Sequence, residues 1–132
     1  MYDVGLTHIA LPVSDLDESA SFYERYARMQ VVHRREGVLW LSDKTRPFVL
    51  VLIEEAEVLH PLRPTAHLGV GCESRDEVDR LAARAHAERC LLAGPADAGA
   101  PVGYWAFLRD PDGHTLEVSH GQQVGQVVGA GR

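Results

Sequence analysis

Two histidines and one glutamate are the residues of this 132-residue chain whose types and spacing could do chemistry. His8 stands in the run Thr7–Ser14 (THIALPVS), and His67 stands at the matching place of a second run, Ala66–Ser74 (AHLGVGCES). Both runs read as a strand that leads straight into a helix start, so a unit of about half the chain is repeated. Glu117 follows near the end of the second copy. Histidines at equivalent points of a two-fold repeat can meet at one site, so a metal centre is the first functional hypothesis.

Alternation of side chains along the strands assigns these three residues to one kind of face. His8, His67 and Glu117 all fall on the face that points away from the helices. The apolar residues that should pack under the helices are Ile9, Leu11, Leu68, Val70, Leu116 and Val118. Two imidazoles and a carboxylate suit one divalent metal ion with open positions for water, and Fe, Mn, Ni, Co and Zn are all compatible.

The elements that must position these residues follow the order β-α-β-β-β twice. The first copy is predicted as a strand over 5–13, a helix capped by Ser14 with Asp17 at the box position, and strands over 29–34, 38–42 and 48–53. The second is predicted as a strand over 66–72, a helix capped by Ser74 with Glu77, and strands near 89–93, 102–108 and 114–119. Asp110–Gly113 is a turn by composition. We therefore expect an α+β fold, with two βαβββ modules forming a curved mixed sheet around a cavity.

The length suggests a single domain over 1–121. Module one covers about 5–55 and module two about 64–120, and the Gly-, Val- and Gln-rich segment 122–132 is expected to be a flexible tail. The net charge of −6 and the lack of a Lys/Arg cluster argue against a nucleic-acid partner. No apolar run reaches membrane-spanning length, so no membrane association is expected. With no visible signal peptide and two cysteines without a disulfide pattern, the expected location is cytoplasmic.

The chain resembles the vicinal oxygen chelate superfamily, which includes glyoxalase I, bleomycin resistance proteins, fosfomycin resistance enzymes and extradiol dioxygenases. The residues that carry the resemblance are His8, Phe22-Tyr23, His67 and the run Phe107–Glu117 (FLRDPDGHTLE). The resemblance implies a metal held by His8, His67 and Glu117 that stabilises negative charge on substrate oxygens. Glu117 is the ligand that we also predict to be catalytic. The resemblance further implies a small-molecule substrate and a homodimer, in which one site could draw its ligands from both subunits.

Differences between this sequence and the individual subfamilies narrow the range of reactions that it could catalyse. Val51 stands where glyoxalase I has a glutamate, and it can neither bind metal nor abstract a proton. Phe107 stands where extradiol dioxygenases have a tyrosine. The stretch Val118–Gly125 lacks the arginine that fosfomycin enzymes use for a phosphonate. Val51, Trp105 and Phe107 instead suggest an apolar substrate-binding lining.

The sequence thus predicts a metal-dependent enzyme of the vicinal oxygen chelate type. The reaction would be lyase/isomerase or dioxygenase chemistry on a small organic molecule. The alternative is a non-catalytic module that binds or sequesters a drug or antibiotic. The presence of all three ligands argues against sequestration alone, because bleomycin-binding members lack the metal set. The missing tyrosine and glutamate keep the alternative open.

Overall fold

The computed structural model describes residues 2–129, and its contacts divide the chain into two compact units with their boundary between Pro61 and Leu62. The first unit contains β1 (His8–Val13), α1 (Leu16–Ala27), β2 (Gln30–Arg35), β3 (Val38–Ser42) and β4 (Val49–Glu54). The second contains β5 (Leu68–Gly71), α2 (Arg75–Ala87), β6 (Leu91–Asp97), β7 (Tyr104–Arg109), β8 (Thr115–His120) and α3 (Val124–Gly129).

Each unit has one four-stranded mixed sheet, and the two sheets have the same topology. The strand order is β1-β4-β3-β2 in the first unit and β5-β8-β7-β6 in the second. In both, the first strand pairs in parallel with the last, and the remaining pairs are antiparallel. The predicted α+β fold of two βαβββ modules is therefore confirmed.

One face of each sheet is buried under its helix, so the side chains of the predicted site belong to the opposite face. The first unit buries leucines of β1, β3 and β4 together with the aromatic residues of α1: Leu11, Leu39, Leu41, Leu50, Leu52, Phe22, Tyr23 and Tyr26. The second buries Val78, Leu81 and Ala85 of α2 together with Leu108, Leu116 and Val118. Burying a large apolar side chain contributes about 1.5–3 kcal/mol, so the register of these strands is strongly fixed.

Three details differ from the sequence predictions. The N-cap of α1 is Asp15, whose side chain accepts a hydrogen bond from the Glu18 amide at 3.0 Å, and not Ser14. Ile9 was expected in the core but is 41% exposed, since it is the second residue of β1 and burial along this strand begins only at Leu11. His67 was placed within a strand, whereas β5 begins one residue later, at Leu68.

Other local predictions hold. Ser74 caps α2, and its hydroxyl accepts a hydrogen bond from the Glu77 amide at 3.1 Å. Asp110 is a turn former, because its carboxylate accepts hydrogen bonds from the Asp112 and His114 amides. Between residues 2 and 129, no helix is long and apolar enough to cross a membrane. The segment predicted as a flexible tail, 122–132, contains α3 and ends outside the described residues, and its flexibility stays a prediction.

Candidate functional site

The second unit assembles a compact cluster around Glu117 through strand register. Glu117 lies in the middle of β8, with Gly69 of β5 as its partner on one side and Phe107 of β7 on the other. Leu116 and Val118 pack under α2, so Glu117 lies on the opposite face of the sheet. The small residue at position 69 leaves space beside the carboxylate.

His67 completes the cluster from the segment just before β5. Its Nδ1 lies 2.7 Å from the carbonyl oxygen of Pro64. A carbonyl oxygen can only accept, so Nδ1 carries the proton and donates it. In the neutral imidazole, Nε2 is then a free lone pair, and this atom lies 3.9 Å from Oε2 of Glu117. The backbone of Pro64 thus fixes His67 in the tautomer that a metal ligand needs.

Glu117 is a buried carboxylate with little compensation for its charge. The residue is only 7% exposed. Its Oε2 accepts a hydrogen bond from Nε2 of Gln122 at 3.3 Å, and apart from His67 this is its polar side-chain partner within residues 2–129. Burying an ionised carboxylate is costly unless a cation or several donors face it. The site therefore has a place for a positive charge.

The distance between His67 and Glu117 suits two ligands of one ion. Two atoms that each lie about 2.1 Å from a metal can be separated by at most about 4.2 Å. The observed 3.9 Å is inside this limit and too long for a direct hydrogen bond. An imidazole lone pair and a carboxylate oxygen are also the donor set of divalent transition ions, so these residues fit a metal.

Two aromatic rings form an apolar wall beside this pair. The Phe107 ring centroid lies 4.9 Å from that of His67 and 4.7 Å from that of Trp105. Both are half-buried, and the register puts Trp105 opposite Ser119 on the same face as Glu117. The structure thus brings together four of the residues that the sequence singled out: His67, Glu117, Trp105 and Phe107.

The other two predicted site residues, His8 and Val51, lie in a cavity of the first unit. This cavity has a volume of about 480 Å³, and both His8 and Val51 line it. His8 is exposed, and its Nδ1 lies 2.9 Å from the Thr7 hydroxyl. Val51 is 8% exposed and pairs with Ala10 of β1 and Trp40 of β3. The remaining lining residues are Asp3, Thr7, Val32, Arg35, Trp40, Ser42, Arg46, Pro47, Phe48 and Val49.

The metal prediction was based on three ligands that meet at one point. The described residues show no such three-ligand group. Across residues 2–129, no group of three or more His, Cys, Asp or Glu side chains is placed to hold a metal ion. His67 and Glu117 meet in the second unit, and His8 belongs to the first. The assignment of all three as ligands to one ion therefore stays a prediction.

Sequence reasoning missed Gln122, Arg35 and Arg46. Gln122 lies in the predicted tail, where composition gives no sign of a contact with Glu117. Arg35 follows Arg34 directly, and strand alternation alone could have assigned the two side chains to opposite faces. Arg34 forms an ion pair with Asp17 of α1 at 3.6 Å. Arg46 lies in the loop between β3 and β4, where no periodicity assigns a face.

A family model agrees with this fold over most of the chain. Residues 5–118 match the model described as Glyoxalase/Bleomycin resistance protein/Dioxygenase superfamily. An uncharacterized protein of Pseudomonas aeruginosa, PA2024, is 39% identical over 127 residues, which cover 91% of this chain and 91% of that protein.

Solved structures with the same fold include proteins of different activities. A possible glyoxalase from Bacillus cereus is 28% identical, with a TM-score of 0.71, over 89% of this chain and 99% of that one. TnmS3, an antibiotic binding protein from Streptomyces sp. CB03234, is 25% identical, with a TM-score of 0.66, over 91% and 98%. The E126Q mutant of the fosfomycin resistance protein FosX from Listeria monocytogenes, solved with Mn(II), is 17% identical, with a TM-score of 0.73, over 99% and 100%. At that identity, FosX shares the fold alone.

Proposed function

The chain belongs to the Glyoxalase/Bleomycin resistance protein/Dioxygenase superfamily, and from this premise we propose that it is a divalent-metal-dependent enzyme acting on a small organic molecule. The proposed ligands are His8, His67 and Glu117. The observation that carries the proposal is the pair in the second unit: a fixed imidazole lone pair 3.9 Å from a buried carboxylate. A metal ion is the charge that this carboxylate otherwise lacks.

The residues have separable roles in this proposal. A bound divalent ion would supply Lewis-acid stabilisation of negative charge on substrate oxygens, which serves lyase/isomerase and dioxygenase reactions alike. Pro64 holds the His67 tautomer, and Gln122 holds one oxygen of Glu117. Trp105 and Phe107 would exclude water and contact an apolar part of the substrate. Glu117 is the proposed catalytic group because it is the buried carboxylate at this point.

Metal binding by defined variants tests the proposal. Purified wild-type protein should bind Mn²⁺ or Zn²⁺ with a stoichiometry of about one per chain in calorimetric titration. His67→Ala and Glu117→Gln should each abolish that binding or weaken it at least about a hundredfold, and His8→Ala should weaken it too. His86→Ala, a histidine exposed on α2, is the matched control and should leave it unchanged. Binding that survives both His67→Ala and Glu117→Gln would refute the site.

The alternative function is binding of a small molecule without chemistry. Two observations favour it as the second candidate: the apolar walls of the cavity in the first unit, and the likeness to an antibiotic binding protein at 25% identity. On this alternative, ligand affinity is independent of metal and unchanged in His67→Ala. If the wild-type protein, loaded with metal, turns over a substrate in an activity screen and His67→Ala does not, the enzyme is favoured.

We also propose a homodimer, as the family resemblance implies. Light scattering coupled to size-exclusion chromatography would give the mass of the assembly. If His8 and His67 of one site come from different subunits, mixing His8→Ala and His67→Ala proteins should restore metal binding at part of the sites. If both come from one subunit, mixing should restore none. The predicted cytoplasmic location stays a prediction.

A further inference from the structure

Two arginines share the cavity of the first unit with His8. Arg35 comes from the end of β2 and Arg46 from the loop between β3 and β4. Within residues 2–129, the guanidinium of neither arginine has an ion pair or a side-chain hydrogen bond. Asp3 is the acidic residue among the lining residues, so the cavity has an excess of positive charge.

Strand register explains why Arg35 belongs to the same face as His8. Arg35 pairs with Val38, Val38 with Ile53, and Ile53 with Pro12 of β1. Cross-strand partners share a face, and Pro12 has the same parity as His8. Its neighbour Arg34 lies on the helix-packed face, where Asp17 pairs with it at 3.6 Å. Adjacent arginines therefore have different environments, one compensated and one facing the cavity.

Arg46 reaches the cavity near His8 itself. Val49 is the register partner of His8, and the loop that carries Arg46 leads directly into that strand. A hydrogen bond from the Phe48 amide to the Arg46 carbonyl at 2.8 Å tightens the loop at this point. The two arginines thus come from separate elements and line the same cavity as the proposed ligand His8.

Apolar residues make up much of the remaining wall. They are Val32, Trp40, Pro47, Phe48, Val49 and Val51. A volume of about 480 Å³ lies within the range of roughly 300–1,000 Å³ that is usual for small-molecule sites. Planar guanidinium groups pair with oxyanions through two parallel hydrogen bonds, and apolar walls favour a hydrophobic body.

We infer that this cavity binds an organic anion: a carboxylate or similar oxyanion on an apolar, ring-sized body, with Arg35 and Arg46 contacting the anionic group. As a statement about the substrate, the inference rests on the proposed function, because it takes the cavity around His8 as part of the substrate site. It assigns a specificity role to two residues that lie outside the proposed metal ligands.

A matched pair of dyes tests the inference. 1-Anilinonaphthalene-8-sulfonate carries an anion on an aromatic body, and N-phenyl-1-naphthylamine is the same body without the charge. Fluorescence titration of wild-type protein should give tighter binding of the sulfonate. Arg35→Gln and Arg46→Gln should each weaken sulfonate binding by about tenfold and leave the neutral dye within about twofold. Arg34→Gln, which removes the same charge on the other face, should change neither.

Competition gives a second reading with a natural oxyanion. 1-Naphthoate should displace the sulfonate dye from the wild-type protein, and the neutral 1-naphthamide should displace it at least about tenfold less well. Both effects should weaken as salt is raised, because paired charges are screened. Equal losses for both dyes in Arg35→Gln and Arg46→Gln, equal effects of Arg34→Gln, or equal competition by acid and amide would each overturn the inference.

The result is separable from the fate of the metal site. The dye titrations are done without added metal, and metal binding is followed separately in His67→Ala and Glu117→Gln. Arginine-dependent dye binding in a protein that binds no metal would refute the proposed enzyme and retain the anion site. Metal binding without arginine-dependent dye binding would refute the anion site and retain the proposed metal site.

Discussion

Gly69 and Glu117 are register partners on the parallel strands β5 and β8, and a Cβ atom added to Gly69 would lie 3.1 Å from Oε2 of Glu117. That oxygen is the one that lies 3.9 Å from Nε2 of His67 and accepts the hydrogen bond from Gln122. The missing side chain at position 69 therefore leaves room for the carboxylate to keep its place. A methyl group there would press on the very atom proposed to bind metal.

Replacing Gly69 by alanine should weaken metal binding without unfolding the protein. The added methyl would displace the Glu117 carboxylate by a few tenths of an ångström, and disturbing a ligand's support typically costs about tenfold or more in metal affinity. Calorimetric titration with Mn²⁺ measures this. Gly71→Ala is the control, because Gly71 lies in the same strand and a Cβ added to it would meet nothing within 4 Å. Equal affinities of the two variants would contradict the prediction.

Removal of either helix N-cap should lower the free energy of unfolding by about 1 kcal/mol. Asp15→Ala leaves the Glu18 amide without its acceptor, and Ser74→Ala does the same to the Glu77 amide. Urea denaturation followed by circular dichroism measures both losses. Ser74→Asp and Asp15→Ser keep an acceptor at each position and should retain most of the stability. If these exchanges cost as much as alanine, the caps are not what holds the helix starts.

Local patterns were enough to predict the modules, because hydrophobic period and turn chemistry act over a few residues. The alternation around Leu116 and Val118 placed Glu117 on the correct face, and Ser74 marked the start of α2. The cap of α1 was misplaced by one residue. Ser14 and Asp15 are both good cap residues, and sequence alone gives no reason to prefer the second.

The site was less predictable than the fold, because its contacts join segments that are distant in the chain. The contact between the Trp105 and Phe107 rings follows from parity within one strand, and the sequence had assigned both residues to one apolar lining. The hydrogen bond from Gln122 to Glu117 depends on where the chain turns after β8, and no periodicity reports that. The Pro64 carbonyl that orients His67 is a backbone atom in an irregular segment, so its role leaves no signature in residue types.

The ionisation of Tyr104 should make stability fall at high pH. Its hydroxyl donates a hydrogen bond to Asp79, and this bond, with some burial and the negative charge of Asp79, raises the pKa of Tyr104 above its ordinary value of 10.0. Arg75, 4.1 Å from the ring centroid, acts in the opposite direction. A raised folded-state pKa means that folding favours the protonated form. This stabilisation is complete below pH 10 and is lost as the pH rises through the folded-state pKa.

Tyr104→Phe provides the measurement. The free energy of unfolding of the wild-type protein should exceed that of Tyr104→Phe by a constant amount below pH 10.0, and the difference should shrink above it. Asp79→Asn removes the charge but keeps an acceptor, so the tyrosinate absorbance of Tyr104 should appear at a lower pH than in the wild type. A stability difference that stays constant through the alkaline range would contradict the assignment.

Ser119 and Ser42 are two buried serines whose replacement by alanine should act in opposite directions. Ser119 is 1% exposed, and its hydroxyl has no hydrogen-bond partner within residues 2–129. Ser42 is 8% exposed, and its hydroxyl accepts a hydrogen bond from the Lys44 amide at 2.9 Å. A buried hydroxyl without a partner costs about 1–3 kcal/mol, whereas a satisfied one contributes about 1 kcal/mol.

Ser119→Ala should therefore be neutral or raise the free energy of unfolding by up to about 1 kcal/mol, and Ser42→Ala should lower it by about as much. Chemical denaturation of the two variants side by side decides the matter, since both delete one oxygen from a buried serine. An equal loss in both would mean that the Ser119 hydroxyl has a stabilising partner of its own, such as a bound water on the face of β8 that carries Glu117.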